Sequence, residues 1–197
     1  MVERLDASRA VLEHRAAWPL RGQERPPFAE EPRPGQRSVW DFPRPPSQAV
    51  LAREALVRLH EADGAAVIAR SDAAVEVMET ASAPTVYFAP ESVDESALVA
   101  TDGRSHCEWK GLAVSYALAP ALAAQANIPA AQAVAWRYLA VYPEFESIYG
   151  WYAFYPQYLA CYLAQERVRA QPGGYYGGWV TDDLAGPIKG AAGSGGW

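Results

Sequence analysis

From Ala55 onward, apolar residues recur at every second position in a series of short runs, and Pro or Gly stands in almost every gap between them. Successive side chains of a strand point to opposite faces, so a period of two marks half-buried strands and excludes a long amphipathic helix. "ALVRLHEADGAAVIARSD" predicts a hairpin turning at "ADG". "AVEVMET", "PTVYFAP", "CEWKGLAVSYAL", "AVAWRYL", "GWYAFYP" and "ACYLAQERVRA" predict further strands. Only "APALAAQANIPAAQ", rich in Ala, Leu and Gln, favours a short helix. The expectation is a mainly β fold: one mostly antiparallel sheet system, curled or folded on itself, with at most short helices.

The ends of the chain have a different composition. Half of the sixteen prolines lie in the first 46 residues, and nine of the fifteen glycines lie from Gln171 onward. Pro lacks a backbone donor and Gly costs entropy to order, so both segments predict extended or irregular chain. Three regions follow: a Pro-rich N-terminal arm over 1–37, a β-rich core domain over 38–170, and a Gly/aromatic tail over 171–197. Residues 3–17 can form a short helix, and "RGQERPPFAEEPRPGQ" after it predicts a mobile extension, with a docked arm as the alternative. The rings in "GGYYGGW" predict that the tail wraps the core, since flexible glycines let the backbone bend around while Tyr175, Tyr176 and Trp179 dock.

At 197 residues, half of them hydrophobic, the chain can bury a core without metals or disulfides. A net charge of −6 with no basic block argues against nucleic acid as a partner. "MVERLDASRAVLEHRAAW" mixes acids and bases with apolar residues, unlike a secretory signal, and predicts a cytoplasmic protein with Cys107 and Cys161 reduced. The uncharged runs 111–136 and 147–165 are cut by prolines and lack the sustained apolar character of a membrane span. The two separated cysteines and the histidines at 14, 60 and 106 show no metal-ligand spacing, so no metal is expected. No phosphate loop, dinucleotide fingerprint or nucleophile elbow is present, and no cofactor is expected.

Taken as one strand, "CEWKGLAVSYAL" places Cys107, Trp109, Gly111, Ala113 and Ser115 on one face and Glu108, Lys110, Leu112, Val114 and Tyr116 on the other. Lys110 then either snorkels at the core edge or stands at the mouth of a pocket. In "AVEVMET", Glu79 follows Val75 and Val77 on one face. Glu79 and Lys110 could meet in a semi-buried pair that orients a ligand, or form a rim salt bridge. Cys107 is either a buried structural thiol or a nucleophile; adjacent His106 points to the opposite strand face and is poorly placed as its base. Aromatic residues such as Tyr87, Tyr116 and Trp136 either fill the core or line a ligand pocket.

"SVWDFPRPP", "VMETASAPTVYFAPESV", "CEWKGLAVSY", "AW" and "AFYP", in that order, resemble the domain of unknown function 427 family, which also carries a nucleotidyltransferase-like label. The likeness spans about Ser38 to Tyr155, and "QPGGYYGGWVTDDLAGPIKG" is similar to a C-terminal extension found on one branch. The resemblance implies a compact, strongly bent antiparallel sheet or half-open barrel related to zinc-bearing β-tent domains, without their CxxC pairs. Carried over by motif, its recurrent polar residues are Asp41, Arg44, Glu79, Tyr87, Cys107, Trp109 and Lys110. The chain departs from the family pattern at "AWRYLAVYP", where Arg137 and Leu139 stand. The nucleotidyltransferase label finds neither paired aspartates nor a phosphate loop here.

The expected function is binding of a small organic, anionic metabolite on the inner face of the bent sheet. Arg44, Glu79 and Lys110 would be the polar contacts, with Asp41, Tyr87, Trp109 and Tyr116 near them. The alternative is an enzyme using Lys110 as base or Schiff-base amine with Glu79, or Cys107 as nucleophile. A further alternative is an interaction module, with a homo-oligomer formed through the arm and tail.

Overall fold

A computed structural model of the chain describes residues 2–194 and 196–197. Among them the strands, in chain order, are β1 (Arg37–Ser38), β2 (Ser47–Val50), β3 (Ala55–Arg58), β4 (Val67–Ser71), β5 (Val75–Met78), β6 (Thr85–Phe88), β7 (Leu98–Cys107), β8 (Gly111–Leu118), β9 (Ala135–Val141), β10 (Tyr152–Phe154), β11 (Ala160–Leu163), β12 (Glu166–Arg167), β13 (Arg169–Ala170), β14 (Trp179–Val180) and β15 (Leu184–Ala185). The helices are α1 (Arg9–Ala17) and α2 (Pro120–Ala126), with three short 3₁₀ turns. None of the described helices is long and apolar enough to cross a membrane.

The fold is mainly β, as the period of two predicts. A seven-stranded antiparallel sheet has the order β2-β5-β6-β10-β9-β8-β7, and a four-stranded sheet has the order β12-β11-β3-β4. The large sheet stays open, with β2 and β7 at its edges. Its pairing register shifts between Ala100 and Arg104 on β7 and between Leu112 and Ala113 on β8. Such irregularities add local bend and twist.

Alternation along the strands sorts side chains into two cores. Val86 and Phe88 of β6, Tyr116 and Leu118 of β8, and Tyr152 and Phe154 of β10 face the four-stranded sheet, packing on Val57, Ile68, Cys161 and Leu163. Tyr87, Ala113, Trp136, Tyr138 and Ala153, on the intervening positions, form a second core on the opposite face of the large sheet. The predicted hairpin is the pair β3–β4, with Gly64 in the left-handed region (φ +77°) in its turn. The predicted short helix is α2, which starts on Pro120 at a position needing no N–H donor and ends at Asn127 in the left-handed conformation.

The arm is docked, which corrects the expectation of a mobile extension. Leu5 N donates to Val141 O (2.8 Å) and Val141 N to Glu3 O (2.9 Å), so the first residues extend along β9. This pairing holds the start of the chain extended, and α1 begins only after Ser8, whose Oγ accepts from Val11 N. Beyond α1, Glu30 N donates to Gly186 O, and β1 pairs with β15 in parallel. Arm and tail thus hold each other. A third apolar cluster of Val39, Trp40, Phe42, Ala81, Ala83 and Leu184 lies where they meet the core.

Candidate functional site

A cleft of about 550 Å³ lies on the outer face of the large sheet, which corrects the expectation of a pocket on the inner face: that face is filled by the core packed against the four-stranded sheet. The floor of the cleft is aromatic because β6 and β9 send Tyr87, Trp136 and Tyr138 to this face. Its rim comes from three places: the end of β7 and the turn after it, which supply Cys107, Glu108 and Lys110; the arm, which supplies His14 and Trp18; and the tail, which supplies Tyr176 and Lys189.

Lys110 reaches the cleft through a chain reversal. "CEWKGLAVSYAL" is not one strand: β7 ends at Cys107, residues 108–110 form a turn, and Cys107 pairs with Gly111. Gly111 makes the reversal possible. Its φ is +128°, and a Cβ there would lie 2.1 Å from Ala140 O, so both the conformation and the close approach require glycine. The face assignment for a continuous strand is therefore corrected: Lys110 lies on the side of Cys107 and Ser115, while Tyr116 turns to the inner core. Tyr116 accepts from Arg137 Nε at 2.7 Å and packs on Tyr152, away from the cleft.

The expected Lys110–Glu79 ion pair is absent. Glu79 instead accepts from Arg44 Nε at 3.1 Å. The Arg44 side chain is fully buried behind this wall, donates to Leu20 O (3.0 Å) and Thr80 O (3.1 Å), and lies over the Trp18 ring at 4.3 Å. Arg44 thus fixes Glu79 and Trp18, which line the cleft, without lining it. Asp41 is exposed and bound by both Nε and Nη2 of Arg25 at 2.7 Å, outside the cleft. Trp109 packs in the outer core beneath the Arg15 guanidinium, 5.2 Å from its ring. Of the residues expected at a site, Glu79, Tyr87, Cys107 and Lys110 line one cleft; Asp41, Arg44, Trp109 and Tyr116 do not.

Two polar groups there have no protein partner among the described residues. The Tyr87 hydroxyl is buried and makes no hydrogen bond. Burial pushes its pKa up to about 12, against a partial opposing effect of Lys110. The half-buried Lys110 ammonium has neither an ion pair within 4 Å nor a hydrogen bond. Burial alone would lower its pKa, but Cys107, Tyr87, Glu79 and Glu108 together hold it above the ordinary lysine value. Glu108 is disfavoured as an anion by burial, yet its own backbone N–H and Trp18 Nε1, which donates to Oε1 at 2.9 Å, hold its pKa below the usual range.

Sequence reasoning expected the tail to wrap the core but did not foresee that His14, Trp18, Tyr176 and Lys189 border this cleft. Lys189 is buried, donates from Nζ to Trp197 O at 2.8 Å, and stands 4.1 Å from the Trp18 ring centroid. Burial, then the nearby Arg44 charge, lower its pKa. The tail is seated on the wall itself: a Cβ on Gly177 would lie 2.2 Å from the Trp136 ring, and Gln157 Nε2 donates to Tyr176 O at 2.7 Å. One compositional signal pointed here, since Lys110 and Lys189 are the only lysines beside fifteen arginines. Among the described residues, no three His, Cys, Asp or Glu side chains are grouped to hold a metal ion.

Residues 50–165, more than half of the chain, match the family described as a domain of unknown function (DUF427). The matched stretch holds the floor of the cleft and the Lys110 turn; His14, Trp18, Tyr176 and Lys189 lie outside it. No curated protein matches the chain.

Proposed function

The chain belongs to the DUF427 family, whose description assigns no activity, and from the chemistry of the cleft we propose that the protein binds a small, planar organic anion. The observation that carries this reading is the pair of unpartnered groups, the Lys110 ammonium and the Tyr87 hydroxyl, above an aromatic floor. A buried hydroxyl without a partner costs free energy that a ligand oxygen would recover, and an ammonium gives that oxygen a charge-assisted bond. The volume suits a metabolite-sized ligand, and Trp136 with Tyr155, their rings 4.5 Å apart, offers a stacking wall. A raised Lys110 pKa favours a permanent cation, an anchor for carboxylate or phosphate, over the proton acceptor that an enzyme would need at this position. A cytoplasmic setting agrees with two free thiols and belongs to the same reading.

Native mass spectrometry of the purified protein, joined with tryptophan-fluorescence titration by 8-anilinonaphthalene-1-sulfonate and aromatic carboxylates, tests the proposal. The expected result is saturable quenching that weakens about 10- to 100-fold in Lys110→Met, the loss of one charge-assisted hydrogen bond. No co-purifying species and no saturable response to any of these anions would overturn it.

A further inference from the structure

One of the two thiols opens on the cleft. Cys107 ends β7, is half-buried and lines the cleft wall, whereas Cys161 is wholly buried between the two sheets, on the other side of the large sheet. No disulfide joins them, so a sulfur bonded to Cys107 has to come from another molecule. The chain reversal that follows Cys107 turns the Lys110 ammonium to the same side, and Cys107 pairs with Gly111, the residue next to that lysine. Glu108 Oε2 lies 3.8 Å from Sγ and opposes a thiolate, but this carboxylate is already engaged through Oε1, by Trp18 Nε1 at 2.9 Å and by His14 Nε2 at 3.5 Å. The Lys110 charge is not engaged. Independently of the thiol, the Tyr87 hydroxyl points to a ligand in the same space, since its side chain is 0% exposed and the hydroxyl has no partner among the described residues.

We propose that Cys107 is a modification site for small anionic disulfides: Lys110 and Tyr87 hold the anionic group, and the thiol exchanges with the disulfide to leave a mixed disulfide in the cleft. The thiol gives up its proton, and a sulfur lone pair forms the new S–S bond. The old S–S bond breaks with its electron pair on the departing sulfur, which takes up a proton. One thiol and one disulfide thus give one mixed disulfide and one thiol; Cys107 is oxidised and the departing half of the disulfide is reduced. The step rests on the anion-binding reading above and adds a sulfur to the ligand class. It also regulates the site, because the attached group occupies the place of the free anion until a reducing thiol removes it.

The test treats the full-length protein with 5,5′-dithiobis(2-nitrobenzoate), a planar aromatic anion, and separately with the neutral 4,4′-dithiodipyridine. Absorbance follows the released thiol, and peptide mapping locates the adduct. The expected result is one adduct per native chain, on Cys107, at a rate that saturates with the anionic reagent. The rate per thiol in the native protein, relative to the denatured chain, should be about 10-fold higher for the anionic reagent than for the neutral one, the effect of one charge-assisted contact. That preference should vanish in Lys110→Met, and 8-anilinonaphthalene-1-sulfonate should slow the anionic reaction of the unaltered protein. If the variant fails to fold, this competition decides alone. A rate linear in the anionic reagent, with no preference over the neutral one, overturns the inference, as does an adduct on Cys161 alone. Saturable fluorescence quenching by 8-anilinonaphthalene-1-sulfonate beside such unselective labelling overturns it while leaving anion binding intact, and absence of both quenching and selectivity overturns the two together.

Discussion

Cys107 and Cys161 sit on opposite sides of the large sheet, and their environments separate their chemistry. Cys161 is wholly buried between the sheets, where burial pushes its thiol pKa upward. Cys107 is half-buried and lines the cleft, with Sγ 3.8 Å from Glu108 Oε2. A thiol reagent should therefore label Cys107 first in the native protein, more slowly with anion bound, and Cys161 only in denaturant; simultaneous labelling would contradict this placement. Tyr87 gives a pH signature. Its native pKa, raised by burial to about 12, exceeds the ordinary value near 10, so the native state keeps a proton that the unfolded chain loses. Its contribution to stability is full below pH 10 and declines as pH rises toward 12. Urea unfolding across that range should show a shallower alkaline decline in Tyr87→Phe than in the unaltered protein.

At the scale of elements, the β7–β8 hairpin decides where the one free cation of the turn stands. Gly111 lies in a conformation that L side chains rarely adopt, and a methyl group there would meet the backbone of β9. Gly111→Ala should cost about 3 kcal/mol or more, measured by urea denaturation, because strain and steric displacement add. It should also weaken anion binding by shifting Lys110. An unchanged urea midpoint would mean that the turn relaxes without loss. The arm is the second decisive element: its α1 and Trp18 close one side of the cleft, held by Arg15 Nε donating to Glu108 O at 2.6 Å and by Trp18 Nε1 on Glu108.

For the whole molecule, the tail is part of the core as well as a cover. Trp179 is buried against Phe88 and donates from Nε1 to Phe154 O at 3.2 Å, and Leu184 packs with Trp40 in the cluster shared with the arm. Deleting residues 171–197 should lower Tm by about 10 °C or more, since losing a buried Trp alone costs about 3–5 kcal/mol. Dye binding to exposed apolar surface should rise with it, and an unchanged Tm would show that the tail is not integral. What the sequence determined by itself was the β class, the approximate places of β3 to β6 and β8 to β11, the short helix after Ala119 and the family; β7, the longest strand, was not read. Those depend on local alternation, turn residues and motifs, all of which are written along the chain. Glu79, Tyr87, Cys107 and Lys110, named from their motifs and strand placement, do line one cleft, although alternation along a single strand put Lys110 on the wrong face. Only the tertiary structure decided that Glu79 pairs with Arg44 and that Tyr116 faces inward. It likewise decided that His14, Trp18 and Lys189 close the cleft from opposite ends of the sequence. Those outcomes rest on a chain reversal at Gly111 and on contacts between residues from 35 positions (Arg44–Glu79) to 171 positions (Trp18–Lys189) apart, and no local period encodes either.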